Sequence, residues 1–441
     1  MFVPAEVKKA VLMLEEAGFE AYLVGGCVRD SLLGKAPTDY DVASSAFPEE
    51  MKAVFKNEHV IETGIKHGTL TVLINSVPIE ITTFRIDKDY EDNRHPSEVL
   101  FTRSLKEDLA RRDFTVNALA YNEKTGVIDV FGGKNDLEHG IIRCVGNPDE
   151  RFSEDALRIM RALRFASVLG FEIEEATASS VHKNKNLLKN VSVERLFSEL
   201  KKLLCGKDAA KIIKEHSEVI AVLIPELAVL NGFAQRHFRH DKDALCHTAA
   251  VIENVPPLPH LRLAALFHDI AKPLCQTVGD DGIAHYYGHA PLGAQMAGGI
   301  LTRLKCDTET KNAVCELVKR HEDRFAAEPR AIKRLLGKIG KDAYDDLLTL
   351  MRADDLGKKP EYFPGEEFYE NYLKIGADII AKEECFSLRD LAVKGADLIE
   401  KGMEPGPEMG TVLDALLEEV IDEKLPNEKE ALLEFALQNL F

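Results

Sequence analysis

Residues 23–30, Leu-Val-Gly-Gly-Cys-Val-Arg-Asp, and the Asp39-Tyr40-Asp41 that follows constrain this chain more than any other stretch. An apolar strand must run into a glycine turn, then a helix, then a second strand. Side chains alternate faces on a strand, so Asp39 and Asp41 are expected to point the same way, about 7 Å apart. Such a pair can bridge hard divalent cations. Gly25 and Gly26 let backbone N–H groups approach a triphosphate closely. Arg29, at the start of the helix, can meet phosphate already held by the helix N-terminus. A phosphate-holding turn beside a metal-holding pair predicts nucleotidyl transfer. Asp39 and Asp41 would hold two Mg²⁺ ions, one activating an attacking 3′-hydroxyl and one neutralising the leaving pyrophosphate. Glu80 is the candidate third carboxylate.

The flanking pattern reads as a small α+β head over residues 1–138. Residues 5–18 read as a helix, Ala21–Val24 as a strand, 28–33 as a helix ended by Gly34 and Pro37, and 39–43 as the carboxylate strand. Thr69–Ile74 and 77–84 are apolar and β-branched around Asn75-Ser76, which predicts a hairpin. Residues 86–98 are polar, with Tyr90, Asp92, Arg94 and Pro96, and read as a mobile loop. Residues 114–121 lead to a last strand at 126–130. Beyond this the pattern is helical: a neck over 139–212, a body over 213–357 and a tail over 358–441 after the break at Pro360 and Pro364. The clearest helices are 154–168 and Val193–Leu204, the latter opened by Ser192.

The net charge of −18 argues against nucleic acid until its distribution is read. Residues 361–441 hold 20 Asp and Glu against 7 Lys and Arg, so the other 360 residues carry only −5. RNA binding needs a local basic track, not a basic protein. The acidic tail reads as a solvated surface. The eight cysteines form no C-x-x-C pair, which excludes a zinc ribbon and a disulfide framework and points to a reducing cytosol. No apolar run approaches the roughly 18 residues of a membrane span, and no secretory signal opens the chain.

Two further clusters carry nucleotide chemistry. In Arg111-Arg112-Asp113-Phe114-Thr115-Val116-Asn117-Ala118, arginine suits phosphate, while Asp113 and Asn117 can bond ribose hydroxyls and so choose NTP over dNTP. In Glu154-Asp155-x-x-Arg158-x-x-Arg161-x-x-Arg164, steps of three align Asp155 and the arginines along one drifting helix stripe. A carboxylate accepts from an exocyclic amine, and a guanidinium donates to a ring nitrogen or carbonyl. Adenine and cytosine both present an amine beside an acceptor; guanine and uracil do not. An Asp155–Arg158 pair would therefore take ATP and CTP and reject GTP and UTP, leaving Arg161 and Arg164 for phosphate.

These motifs resemble the class II tRNA nucleotidyltransferases, the CCA-adding and poly(A) polymerase family, over residues 5–210 and in the tail. The resemblance implies a polymerase-beta-like nucleotidyltransferase head with a mixed sheet, a base-reading helical neck, and a body and tail that hold the tRNA elbow. It puts metal on Asp39 and Asp41, triphosphate on Gly26 and Arg29, ribose on Arg112 and Asp113, base on Asp155 and Arg158, and further nucleotide contacts on Arg161 and Arg164. The stretch 64–69, Gly-Ile-Lys-His-Gly-Thr, and the Glu-Asp-x-x-Arg form of the neck motif resemble the CCA-adding branch more closely. In that family a flexible loop like 86–98 is required for the terminal A.

Residues 243–356 carry His247, His268-Asp269, His289, His321 and Asp354. The run 266–272, Leu-Phe-His-Asp-Ile-Ala-Lys, resembles the HD superfamily of metal-dependent phosphohydrolases. That resemblance implies one metal on His247, His268, Asp269 and Asp354, with His289 and His321 able to support a second. Such ligands suit Mn, Fe, Co, Ni or Zn and a phosphoester substrate at RNA ends.

The expectation is thus a cytoplasmic, Mg²⁺-dependent enzyme that appends C, C and A to tRNA from CTP and ATP, with an added phosphohydrolase. Its rivals are an A-only enzyme, a poly(A) polymerase and an HD phosphohydrolase whose head merely binds RNA. tRNA, ATP and CTP are the expected partners, no membrane is involved, and a homodimer is the candidate assembly.

Overall fold

The computed structural model describes residues 1–90 and 96–440. The chain divides into two compact units, residues 1–228 with 303–305, and residues 229–302 with 306–441.

The first unit opens on helix Ala5–Glu16, which buries Val7, Ala10, Val11 and Leu14 along one face at helical spacing. Its strands are β1 (Ala21–Val24), β2 (Asp41–Ser44), β3 (His59–Ile61), β4 (Thr69–Ile74), β5 (Val77–Thr83), β6 (Arg85–Tyr90), β7 (Pro96–Phe101), β8 (Leu119–Asn122) and β9 (Gly126–Asp129). Seven of them form one mixed sheet in the order β3-β4-β5-β2-β1-β8-β9. Every neighbouring pair is antiparallel except β2 and β5, which run parallel with Asp41 beside Glu80. Side chains at paired positions share a face, so these two carboxylates rise from the same side of the sheet. The hairpin between β4 and β5 turns at Asn75 and Ser76, with φ of 51° and 67°, the left-handed pair that matches strand twist.

Three expectations change. Strand β2 begins at Asp41, so Asp39 lies just before it and strand alternation does not fix its direction. The segment 86–98 is largely a hairpin, with Arg85 opposite Phe101 and Tyr90 opposite Pro96; Asp92 and Arg94 lie outside the described residues. An antiparallel ribbon satisfies its own backbone, so a polar sequence can still pair. The helix expected at 154–168 is two helices, Pro148–Glu154 and Leu157–Leu169, interrupted at Asp155 with φ −134° and ψ 101°. Asp155 Oδ1 accepts from the Leu157 N–H at 3.1 Å, so this side chain favours a break over a continuous helix. The neck helix Leu157–Leu169 ends at Gly170, which is left-handed, and packs against Val193–Leu204.

The second unit is helical. Helices Ala244–Asn254, Pro259–Phe267, Thr308–Arg320 and Lys341–Gly357 pack around a core that includes Leu263, Leu266, Phe267, Val314 and Leu347. The acidic tail is more than a solvated surface. Leu391, Leu398, Leu416 and Leu432 build a core of their own. Lys333 and Arg334 on helix Pro329–Ile339 also pair with Glu384, Glu418 and Asp422. Among the described residues no helix is long and apolar enough to cross a membrane.

Candidate functional site

Strand β1 delivers the chain into Gly25, whose φ of 74° is open to glycine and costly for other residues. A Cβ there would also come 3.1 Å from Arg112 Nη1, so a side chain at this position would press the guanidinium aside by a few tenths of an ångström. Helix Gly26–Leu32 follows at once. Arg29 on that helix donates to Asn117 Oδ1 at 2.6 Å and, from Nε and Nη2, to both oxygens of Asp30. The Arg29–Asp30 pair and a cavity-facing Arg29 therefore coexist.

Helix Leu105–Ala110, capped by Ser104, sets Asp108 beneath the next arginines. Asp108 is 1% exposed and accepts from Arg111 at 2.8 Å and Arg112 at 3.1 Å. Sequence reasoning missed it, although acid-to-arginine spacings of three and four inside a helix start were the available signal. Asp113 is buried and accepts from Arg161 Nε at 2.7 Å, from Asn117 Nδ2 at 3.1 Å and from the Phe114 N–H at 2.8 Å. Burial alone would raise its carboxyl, but Arg161 and the Asn117 hydrogen bond outweigh it and bring the pKa down to about 2.

The neck completes the wall. Arg158 is buried, donating to Glu154 at 2.7 Å and to the Arg111 carbonyl at 2.8 Å. Asp155 keeps Oδ2 near Arg195, 3.5 Å away, and Arg164 pairs with Glu199 at 2.7 Å. Arg29, Arg111, Arg112, Asp113, Asn117, Asp155, Arg158, Arg161 and Arg164 line one cavity of about 500 Å³, with Gly25, Gly26, Asp41, Arg85 and Phe165. Its lining holds seven arginines against three aspartates, Asp41, Asp113 and Asp155. Asp30, Asp108, Glu154 and Glu199 pair with five of these arginines from outside the lining, so the cavity presents guanidinium groups whose charge is largely compensated. With a screening length of about 8 Å at physiological salt, this local balance, not the net −18, sets the field a ligand meets.

Asp41 sits in this lining with its carboxyl raised, by burial first, with Arg112 opposing and Asp39 adding to the rise. Asp39, Asp41 and Glu80 are all exposed, and Asp39 Oδ2 accepts from the Thr38 hydroxyl at 3.1 Å. Asp39 and Glu80 are not part of the cavity lining.

In the second unit the six residues singled out come together. Asp243 caps helix Ala244–Asn254 and so puts His247 in its first turn. His268 and Asp269 follow Pro259–Phe267, His289 opens His289–Arg303, His321 follows Thr308–Arg320, and Asp354 lies in Lys341–Gly357. None is more than 5% exposed. Their ligand atoms form two trios, His247–His268–Asp354 and Asp269–His289–His321, each gathered within 4.8 Å. His268, His289 and His321 each donate Nδ1–H to the carbonyl three residues back, at 2.8, 2.8 and 2.7 Å. That fixes the tautomer and turns Nε2 lone pairs inward. The facing Nε2 atoms of His289 and His321 stand 3.3 Å apart. Asp269 offers Oδ2 toward His247 and His268 and Oδ1 toward His289 and His321. Lys272 lies 2.7 Å from Asp269, and Lys358 lies 2.8 Å from Asp354. A cavity of about 410 Å³ opens onto this centre.

Comparisons with known proteins agree with this architecture. Residues 21–143 match the family model for the Poly A polymerase head domain, and residues 290–436 match one for tRNA nucleotidyltransferase domain 2. The chain is 36% identical to the CCA-adding enzyme of Ligilactobacillus salivarius, over 98% of this chain and 97% of that one. It is 37% identical to the CCA-adding enzyme of Streptococcus sanguinis, over 97% and 96%. Among solved structures it is similar to the Bacillus stearothermophilus CCA-adding enzyme in complex with CTP, with a TM-score of 0.72, 30% identity and coverage of 98% and 96%.

Proposed function

The chain belongs to the CCA-adding enzyme family, and from that premise we propose how its residues divide the work. The enzyme adds C, C and A to the 3′ end of tRNA from CTP and ATP, without a nucleic-acid template, in the cytosol. The observation that carries this reading is the cavity in which seven arginines surround one carboxylate of the β2 strand.

The 3′-hydroxyl oxygen attacks the α-phosphorus, the bond to the β-bridging oxygen breaks, and pyrophosphate leaves. Asp39, Asp41 and Glu80 are hard oxygen donors, open to solvent, and would hold Mg²⁺. When bound, that ion supplies Lewis-acid charge for the hydroxyl and the pyrophosphate. Arg29 and Arg112, with the Gly25–Gly26 turn, take the triphosphate. Asp155 and Arg158 read the base: Glu154 and the Arg111 carbonyl hold the guanidinium still, so it presents a fixed donor pattern. Asp113 lines the cavity with its oxygens engaged by Arg161, Asn117 and the Phe114 N–H, so it anchors Arg161 besides the ribose contact expected of it. Asn117 is engaged likewise, by Arg29 and Asp113, and Arg112 is the further candidate for the ribose.

End-addition on tRNA ending before CC tests this. With CTP and ATP the expected product is CCA, and synthesis stops there. A requirement for a CC end would mark an A-only enzyme, and a long A tail a poly(A) polymerase.

A second chemistry is supported by one observation, the inward lone pairs of His289 and His321. Facing Nε2 atoms 3.3 Å apart, with both Nδ1–H groups already given to carbonyls, need a shared proton or a cation between them, and the six buried ligands gathered there favour the cation. The donors fit Mn, Fe, Co, Ni or Zn, held by His247, His268 and Asp354 and by Asp269, His289 and His321. Such a metal would activate water for phosphoester hydrolysis, and RNA 3′ ends bearing phosphate are the fitting substrate. The expected result is opening of a 2′,3′-cyclic phosphate end by one water, which breaks one P–O bond, and release of phosphate from the resulting monoester by a second water, which breaks the other, both abolished in Asp269→Ala.

A further inference from the structure

Phe165 was no candidate in the sequence, yet it is the one aromatic side chain in the lining of the arginine cavity. Three guanidinium carbons lie around its ring centroid: Arg164 at 3.9 Å, Arg29 at 5.1 Å and Arg161 at 5.2 Å. The ring itself is 7% exposed and braced edge-on by Phe114, with centroids 5.7 Å apart. Arg29 comes from helix Gly26–Leu32 and the other two from Leu157–Leu169, so the ring joins charges from separate elements.

Three like charges around one point repel. Each has a carboxylate partner, Asp30, Asp113 or Glu199. The Phe165 ring is a group that all three guanidinium groups approach. Its π face is the negative end of the aromatic quadrupole, so it attracts each guanidinium while adding no net charge. A carboxylate at that point would cancel more of the positive field that an anionic ligand needs, and an aliphatic side chain would remove the ring's share of the compensation. The crowding registers at Arg164: burial lowers its pKa, Glu199 opposes, and the charges of Arg161 and Arg29 lower it further.

We propose that Phe165 is a positioning residue for the incoming nucleotide, holding Arg29, Arg161 and Arg164 together as a cationic floor for its phosphates. The inference rests on the nucleotide reading of this cavity. It predicts an effect graded by phosphate charge. In Phe165→Leu, affinity for CTP and ATP should fall about tenfold each, the loss of one or two cation–π contacts. Affinity for CDP should fall less, and affinity for CMP should hold. Discrimination against UTP and kcat at saturating CTP should stay as in the parent, and Phe165→Tyr should restore CTP binding.

The experiment is calorimetric titration of the full-length protein with CTP, CDP and CMP, for the parent, Phe165→Leu and Phe165→Tyr. Thermal unfolding accompanies each titration. Should Phe165→Leu not fold, fluorinated phenylalanines placed at 165 drain the π face with little change of shape, and log affinity for CTP should fall with each fluorine. Equal CTP affinity in parent and Phe165→Leu overturns the proposal, as does equal weakening of CTP and CMP, or indifference to fluorination. Failure of the parent to bind CTP would instead overturn the nucleotide reading itself.

Discussion

In the first unit the carboxylates that would meet a cation stand apart and open to solvent, with Asp39 before β2, Asp41 at its first position and Glu80 on β5. In the second, two trios of ligands are buried and gathered within 4.8 Å, and they are the only such trios among the described residues. The first centre is surrounded by guanidinium and the second by imidazole whose tautomers are already set. Carboxylates open to solvent suit a cation carried in by an anionic ligand, whereas ligands arranged in advance, with tautomers set by backbone bonds, are what retention of a metal requires.

The largest effects should separate the two centres completely. Asp41→Ala should cut CMP and AMP incorporation by about a thousandfold or more, while tRNA binding and phosphate release from RNA ends persist. Asp269→Ala should do the reverse, and a variant that abolished both reactions would break the comparison. Retention of metal comes next. After gel filtration without added metal, elemental analysis should find transition metal in the parent and almost none in His268→Ala/His321→Ala. End-addition should depend on added Mg²⁺ in both. Arg158→Ala should then raise misincorporation from UTP and GTP by about 5- to 150-fold, the range that one bidentate base contact supplies, with a smaller change in tRNA affinity. The smallest effect is acid stability. Asp113 is held at about 2 against an ordinary 3.8, so its stabilisation is full above the ordinary value and is lost as pH falls through the folded one. Unfolding of the parent between pH 5 and pH 2 should lose on the order of 2 kcal/mol that Asp113→Asn does not lose.

Much of this was legible before any coordinates. The glycine turn and the β4–β5 hairpin stand where local pattern puts them, because turn chemistry acts over few residues, whereas His247, His268, Asp269, His289, His321 and Asp354 come from separate elements that only the tertiary fold gathers. What escaped depends on partners far away in sequence. Asp113 and Arg158 have the residue types of ligand contacts, but their bonds to Arg161 and to the Arg111 carbonyl appear only when head and neck helix meet. Asp155 was taken as helical because spacing alone does not weigh capping against propagation. Phe165 drew no attention in the sequence, and only the arrival of Arg29 from another element gives it its character.

The parallel pairing of β2 with β5 has a consequence for assembly during synthesis. It is the sheet's one parallel contact, and two intervening strands must be made before Glu80 can settle beside Asp41. The Arg29–Asn117 bond spans 88 positions. Such distant contacts carry a large loop-closure cost and form late. The first turn and the first carboxylates leave the ribosome early, but the wall of the cavity is finished only when Asp155, Arg158, Arg161 and Arg164 are made. A product truncated at the end of the head lacks that wall, and the complete cavity exists only in chains that extend past Phe165.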